Sequence, residues 1–365
     1  MGDYPILLIS QSPISNLFFI SYNGDMGRTG YFDWHKVEQL PWPADWAALF
    51  GRAAPLVVEI GFGSGLFLVD LARRRPEANV LGLEISLPSL RNAGRKVRGA
   101  GLGNVQLMQA DASSALQALC EPGSMAAVII NFPDPWPKKD QLGRRLIQDE
   151  FLALLASRMC LGADIDIATD HDEYAAHIAD CLQRTSYFDS RAGQSFLLVD
   201  PDRVTTKYEQ VARQAGRTPR YFKWRRNDTP APDRFPIPTE LPMPHVVLRL
   251  PADTAEIARC FQPAVIEEGG TRVRYIELYQ SAHDGKLLIE TYVNEGPIKQ
   301  RLGLELQPRA SGELVVSLAE MGFPRPTPGV HLAIRHLVAR LREQFPALIV
   351  VHTTLQGDYA DRPHE

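Results

Sequence analysis

The sequence predicts a doubly wound α/β sheet followed by a smaller C-terminal α+β domain. Two observations indicate the sheet: short apolar runs alternate with stretches of helical periodicity, and glycines or acids follow the runs where strands would end. A third observation separates the two parts, because prolines crowd one segment and short strand-like runs then follow in series. We expect an N-terminal extension, the α/β domain, a stiff linker and the α+β domain at residues 1–50, 51–228, 229–244 and 245–365.

The composition is ordinary for a globular protein. Of 365 residues, 45% are hydrophobic and 22% are charged, which is enough for a sizeable core. Pro13 and polar residues interrupt the apolar runs near the start, so we expect neither a signal peptide nor a membrane span. Scattered cysteines indicate neither a disulfide framework nor a zinc site, and a reducing cytoplasm fits them. They are Cys120, Cys160, Cys181 and Cys260.

The first strand leads into a glycine-rich turn. Leu56 to Ile60 has the pattern of a buried parallel strand, and Leu66 to Arg75 has the apolar spacing of a helix. Three glycines with the spacing G-x-G-x-G lie between them. They are Gly61, Gly63 and Gly65. Such a turn has two common ligands, a dinucleotide and S-adenosylmethionine.

Two features of this turn favour S-adenosylmethionine. In the dinucleotide fingerprint G-x-G-x-x-G the third glycine follows the second after two intervening residues, and here Leu66 stands at that position. Glu59, at the end of the strand, would repel a pyrophosphate and attract a cationic amino acid or sulfonium group.

Acids also follow the next strands. Glu84 lies at the end of the second strand, Val80 to Ile85, about 20 residues after the glycines. There it is placed to accept the ribose hydroxyls. Asp111 follows the run Val105 to Met108 and could accept from the adenine amino group. A fourth strand, a fifth strand and a helix complete the alternation at Met125 to Ile130, Asp164 to Thr169 and Asp172 to Arg184.

A proline-rich loop follows the fourth strand. Residues 131–139 read Asn-Phe-Pro-Asp-Pro-Trp-Pro-Lys-Lys, and their prolines must end the strand and leave the chain stiffly extended. Asp134 is thereby presented at a fixed point. Ligands of open α/β sheets bind outside the carboxyl ends of the strands, so we expect Asp134 to face the ligand.

Basic charge is concentrated in one segment, although the chain has a net charge of -4. Between Arg203 and Arg226 there are eight basic residues against one acid, Glu209, with aromatic residues among them. The segment is either a solvated helix face or an edge that binds phosphates. Its basic residues are Arg203, Lys207, Arg213, Arg217, Arg220, Lys223, Arg225 and Arg226.

The C-terminal region carries an α+β pattern without a catalytic constellation. Its clearest strands are Arg272 to Tyr279, Lys286 to Tyr292 and Glu313 to Leu318. An amphipathic helix, His331 to Phe345, precedes a last strand at Ala347 to His352.

Several of these motifs together resemble the bacterial tRNA (guanine-N7)-methyltransferases, over roughly residues 38–226. The resemblance implies a Rossmann-like fold that transfers a methyl group from S-adenosylmethionine to N7 of guanine 46 in the tRNA variable loop. The matching motifs are Glu59-Ile60-Gly61-Phe62-Gly63-Ser64-Gly65, Phe132-Pro133-Asp134-Pro135-Trp136-Pro137-Lys138-Lys139, Arg144-Arg145-Leu146-Ile147-Gln148, Ala168-Thr169-Asp170 and Thr206-Lys207-Tyr208-Glu209-Gln210.

The resemblance also implies roles for single residues. Cofactor positions fall on Glu59, Glu84, Asp111 and Asp134, and Asp134 is also the catalytic position. Substrate positions fall on Lys138, Asp170, Thr206, Lys207, Tyr208 and Glu209. The chemistry agrees, because guanine N7 carries a lone pair and loses no proton, so the enzyme needs only to orient it and to stabilise the cationic product. We therefore expect no metal.

Two departures from the family leave alternatives open. Asp140-Gln141-Leu142-Gly143 stands where the family has basic residues, and Val211-Ala212 stands where it has Arg-Gly. A non-catalytic RNA-binding homologue is therefore one alternative. Another is a methyltransferase for an exocyclic amine of a base or protein, whose loops Asn131 to Asp134 distantly resembles. The role of the C-terminal domain stays open between tRNA clamping, dimerisation and partner binding.

Overall fold

The computed structural model describes residues 34–201, 203, 205, 207–232, 234–296, 298–321 and 323–356, with the side chains of residues 207 and 208 excepted. Two β-sheets organise these residues. Helices cover both faces of the first sheet and one face of the second, each over an apolar core. No helix in the described ranges is long and apolar enough to cross a membrane.

The first sheet has eight strands in the order β1-β4-β3-β2-β5-β6-β8-β7. Its strands are β1 (His35–Lys36), β2 (Leu56–Ile60), β3 (Asn79–Glu84), β4 (Val105–Gln109), β5 (Met125–Asn131), β6 (Met159–Thr169), β7 (Phe188–Ser190) and β8 (Arg220–Arg226). Its helices are α1 (Trp46–Phe50), α2 (Leu66–Arg74), α3 (Leu87–Gly99), α4 (Ala112–Leu119), α5 (Asp149–Arg158), α6 (Asp172–Arg184) and α7 (Lys207–Gln214). Short 3₁₀ turns span Val37–Gln39 and Lys139–Arg144.

Strand order creates a crevice beside β2. The strands β1 to β6 pair in parallel, and the chain crosses from β2 outward to β4 before it returns to β5 on the other side of β2. The carboxyl ends of β2 and β5 thus flank the point where the winding reverses, which is where ligands of doubly wound sheets bind. The predicted doubly wound α/β class is confirmed.

The buried strands explain how both faces are covered. Alternate side chains of each strand enter opposite cores, so Val57 and Ile129 pack under α2 and α3 while Val58 and Val128 pack on the side of α4, α5 and α6. Side chains at the helix starts help to fix the boundaries: the Asp111 carboxylate caps α4 by accepting from the Ser114 backbone N–H at 3.2 Å.

The end of this sheet differs from the sequence prediction. The fifth predicted strand begins at Met159 rather than Asp164, because residues 159–163 also belong to β6. Residues 220–226 form the antiparallel strand β8, not part of a helix. Tyr221 and Phe222 are adjacent and both buried, with charged residues on either side, so the strand lacks the apolar–polar alternation that predicts one. Sequence reasoning missed it for this reason.

The second sheet has seven antiparallel strands in the order β10-β11-β12-β13-β14-β9-β15. Its strands are β9 (His245–Arg249), β10 (Ala264–Glu268), β11 (Thr271–Gln280), β12 (Leu287–Glu295), β13 (Ile298–Pro308), β14 (Leu314–Leu318) and β15 (Ile349–Thr353). Two helices, α8 (Thr254–Cys260) and α9 (Pro328–Gln344), pack on one face. This agrees with the expected α+β pattern; β9, β10, β13 and α8 were not predicted.

The proline-rich segment packs against the first sheet instead of extending freely. Phe235 is buried in the core of that sheet, and the Gln117 side chain donates to the Pro236 carbonyl at 2.9 Å. Ile298, the first residue of β13, enters the same core. The Arg325 guanidinium lies 4.8 Å from the centre of the Trp42 ring. These contacts attach one end of the second sheet to the first.

Candidate active site

The glycine turn forms the floor of the crevice at the carboxyl end of β2. Gly61, Gly63 and Gly65 have φ angles of 70°, 52° and 72°, a region that favours glycine. Gly65 also permits close packing of two helices, since a Cβ there would lie 2.5 Å from the Cβ of Ala93 in α3. The turn therefore needs glycine at Gly65 for both its conformation and its space.

Glu84 is held rigidly at the end of β3. Its Oε2 accepts from the Gly63 backbone N–H at 3.0 Å, and its Oε1 accepts from the N–H groups of Ile85 and Ser86 at 2.9 and 3.0 Å. Ile85 is 71% exposed beside this carboxylate. Three backbone donors thus orient one acid next to an exposed apolar side chain at the rim of the crevice.

Glu59 is buried in β2, with 1% of its surface exposed. Its Oε1 accepts from the Asn131 side-chain amide at 3.0 Å, whereas Oε2 is buried without a hydrogen-bond partner in the described residues. Burial raises the pKa of this carboxyl to about 8, and the Asn131 hydrogen bond and the Arg203 charge oppose that rise. A cationic ligand at Oε2 would stabilise the ionised form.

Asp111 and Asp134 complete the row of acids that the sequence predicted. Both are exposed at the carboxyl ends of their strands, Asp111 as the cap of α4 and Asp134 in the loop after β5. The structure thus brings four acids to one edge of the sheet, at the ends of four adjacent strands. In sheet order they are Asp111 after β4, Glu84 in β3, Glu59 in β2 and Asp134 after β5.

The loop around Asp134 is strained. Phe132 and Trp136 have φ angles of 50° and 39°, which are costly for aromatic residues and more so before proline. Each lies two residues from Asp134. Non-glycine residues in this region persist only where surrounding contacts hold them, and they concentrate at functional sites.

Two arginines brace this loop. The Arg144 guanidinium lies 3.7 Å from the centre of the Trp136 ring, and Arg145 donates through Nε to the Pro135 carbonyl at 2.7 Å. Arg145 is buried and also lies 4.9 Å from the centre of the Tyr174 ring. These contacts fix the two loop residues that follow Asp134.

A buried arginine connects the loop with helix α7. Arg203 donates to the Asn131 side-chain oxygen, and its guanidinium packs 4.8 Å from the Phe67 ring centre. Its Nε lies 3.8 Å from Glu209 Oε2. A chain of buried polar groups therefore runs from Glu59 through Asn131 and Arg203 to Glu209. Sequence reasoning counted Arg203 only within the basic segment, and Asn131 only within the loop motif.

The predicted substrate residues fall in different environments. Lys138 is exposed, whereas Asp170 Oδ2 lies 3.1 Å from Arg217 Nε. Glu209 is 3% exposed, and its Oε1 accepts from Arg213 and from the Tyr221 hydroxyl at 2.9 and 2.8 Å. Thr206 lies outside the described residues, and for Lys207 and Tyr208 only the backbone, in α7, is described.

The basic segment is not an open edge of free cations. Arg226 is buried and donates to backbone carbonyls, including Ala156 O at 2.9 Å. Lys223 lies 2.9 Å from Asp166, and Arg225 lies 2.8 Å from Asp164. Arg213, Arg217 and Arg220 pair with Glu209, Asp170 and Asp172. The expected phosphate-binding edge is thus mostly neutralised within the protein, largely by acids between Asp164 and Asp172 that are distant in sequence.

The hydrogen-bond acceptors and the apolar rim of the crevice fit S-adenosylmethionine. Glu59 Oε2, which has no hydrogen-bond partner among the described residues, can accept from an amino group. The rigid Glu84 can accept from ribose hydroxyls, and Ile85 can cover an apolar ring face. In the described residues, no cluster of three or more His, Cys, Asp and Glu side chains could hold a metal ion.

Comparison with known proteins places the chain among methyltransferases. A family model described as "Putative methyltransferase" matches residues 53–220. A tRNA (guanine-N(7)-)-methyltransferase from Thermus thermophilus is 34% identical over 86% of this chain and 97% of its own length. One from Thermotoga maritima is 32% identical over 85% and 96%. One from Halorhodospira halophila is 39% identical over 47% of this chain and 75% of its own. The chain therefore belongs to the tRNA (guanine-N(7)-)-methyltransferase family.

Proposed function

We propose that this chain transfers the methyl group of S-adenosylmethionine to N7 of guanine 46 in tRNA. The observation that carries the proposal is the strained and braced loop that presents Asp134 beside the glycine turn, where the winding of the sheet reverses. A loop held in this way can orient a nucleophile without rearrangement during the reaction.

The cofactor would lie across the carboxyl ends of β2, β3 and β4. Glu59 would accept from its amino group, and Gly61, Gly63 and Gly65 would let its amino-acid part approach the backbone. The ribose would lie on Glu84, and the adenine between Asp111 and the exposed Ile85. When bound, the sulfonium of this cofactor supplies an electrophilic methyl group.

Asp134 would hold the guanine and stabilise its developing charge. In this transfer the N7 lone pair would form the new bond to carbon as the sulfur–carbon bond breaks, so the ring would become cationic and no proton would need to be removed. An exposed carboxylate on a rigid loop can accept from guanine donors and stabilise that positive charge. The role of Asp134 is therefore orientation and electrostatics rather than base catalysis.

The remaining proposed substrate contacts involve the exposed Lys138 and the partly buried Asp170. Lys138 is placed to hold a phosphate. Asp170 contacts Arg217 through Oδ2, so its Oδ1 can accept a hydrogen bond from the substrate. Because Glu209 is buried, we propose that it acts through Arg203 and Arg213 rather than by direct contact with RNA. Thr206, Lys207 and Tyr208 remain proposed substrate residues on the same segment.

Two tRNA transcripts that differ only at position 46 test this proposal. With labelled S-adenosylmethionine, the transcript with guanine 46 should be labelled and the transcript with adenine 46 should not. Asp134→Ala should lose labelling of the transcript with guanine 46. Equal labelling of both transcripts would contradict the assignment of position 46.

A further inference from the structure

The face of the second sheet opposite α8 and α9 carries a compact basic cluster. Backbone register places Arg274 opposite Tyr292, and Tyr292 opposite Arg301, across β11, β12 and β13. The adjacent row on the same face is Arg272, Asn294 and Lys299. Neighbouring strands are about 4.8 Å apart, and successive residues on one face are about 7 Å apart. The Cα atoms of the four cationic residues therefore lie within an area of about 10 by 7 Å.

These cations face outward. Arg272 and Arg301 have side-chain exposures of 57% and 71%, and Arg274 and Lys299 are exposed as well. Arg272 lies 3.4 Å from Glu267 on the edge strand β10, and Arg301 pairs with Glu290. Arg274 and Lys299 have no ion pair within the part of the chain that the structure describes. A local positive surface thus exists on a chain whose net charge is -4.

Charge is divided along this face. The cationic rows lie toward the β12–β13 turn, whereas Glu277, Glu290 and Glu305 occupy the rows toward the other end. The cationic end is the one attached to the first sheet, because Ile298, next to Lys299, packs in the core of that sheet. A polyanion that follows the cationic rows would therefore lie at the junction of the two sheets.

We propose that this basic cluster, Arg272, Arg274, Lys299 and Arg301 around Tyr292, is a second tRNA-binding surface. Its cations would hold backbone phosphates, and the half-buried Tyr292 ring would receive an unpaired base. This deepens the proposed function and rests on it for the identity of the RNA. It would also add phosphate contacts to those of segment 203–226, whose described basic residues are mostly paired within the protein.

A charge-matched pair of double variants tests the surface. Arg274→Ala with Lys299→Ala removes the two cations that have no ion pair among the described residues, and Arg259→Ala with Arg342→Ala removes two exposed arginines from the helices on the opposite face. Binding of fluorescent unmodified tRNA is measured by anisotropy from 50 to 300 mM KCl, without S-adenosylmethionine. The first variant should bind about tenfold more weakly at 150 mM, with a log–log salt slope reduced by roughly 1.5, whereas the control should match the wild type.

Equal weakening in both double variants, or in neither, would overturn the proposal. Tyr292→Ala should weaken binding about fivefold or more and Tyr292→Phe should not; wild-type affinity in Tyr292→Ala would overturn the stacking role. A different result is that the wild type binds phosphatidylserine vesicles that the first variant does not bind, while both bind tRNA equally well. In that case the surface binds a membrane and the proposal fails. Because binding is measured without turnover, a chain that failed to methylate tRNA would leave these outcomes readable.

Discussion

Cofactor binding should release a proton from Glu59. This carboxyl is buried with a pKa of about 8, so in the free protein it is mostly neutral at pH 7. A cationic amino group at its unpartnered Oε2 should ionise it. The α-amino group of the ligand, being that of a free amino acid, stays protonated through this range, so the net release should be about one proton at pH 6, about 0.9 at pH 7 and about 0.5 at pH 8.

Calorimetry in two buffers of different ionisation enthalpy measures this release directly. S-adenosylhomocysteine is the ligand, since it keeps the amino group. Glu59→Gln should bind more weakly and release no proton at pH 7. Glu77→Gln, which removes an exposed acid just before β3, should behave as the wild type. A release near zero at pH 7 in the wild type, or an unchanged release in Glu59→Gln, would refute the reasoning.

Four further predictions follow from the same geometry. Without ligand, stability should fall as pH rises from about 4.5 toward 8, because burial raises the folded pKa of Glu59 above its unfolded value; Glu59→Gln should flatten this slope in urea titrations. Arg203→Gln should weaken cofactor binding at pH 7 and move the proton linkage above pH 8, since the Arg203 charge lowers that pKa; an unmoved linkage would argue against the contact. Asp134→Asn should lose on the order of 10²-fold in turnover, and near wild-type turnover would withdraw its catalytic role. Gly65→Ala should cost about 2 kcal/mol or more of unfolding free energy, because its Cβ would meet Ala93; an unchanged urea midpoint would contradict this packing.

The sequence was most informative where local chemistry decides the structure. The apolar runs, the glycine turn and the proline loop each restrict the backbone within a few residues, and helix α6 was predicted at its observed bounds, Asp172–Arg184. Topology rules then bring successive strand ends to one edge, so the row from Glu59 to Asp134 could be anticipated.

Contacts between distant segments could not be read in the same way. No local feature of the sequence shows that Arg226 is buried and donates to backbone carbonyls, or that acids on β6 neutralise Lys223 and Arg225. The second sheet was partly missed for a similar reason: register across β11, β12 and β13 makes the basic cluster, and register depends on pairing partners. The role of Arg203 depends likewise on Asn131, 72 residues away.

Identification of the methylated atom tests the central claim most directly. Unmodified bulk tRNA is incubated with the protein and labelled S-adenosylmethionine, then digested to nucleosides and separated against standards. The account predicts that the label appears in 7-methylguanosine, because N7 is a nucleophile that needs orientation and charge stabilisation but no base. Label in an exocyclic-amine methyl nucleoside or in the protein itself would contradict it, as would the absence of label from a protein that binds both S-adenosylhomocysteine and tRNA.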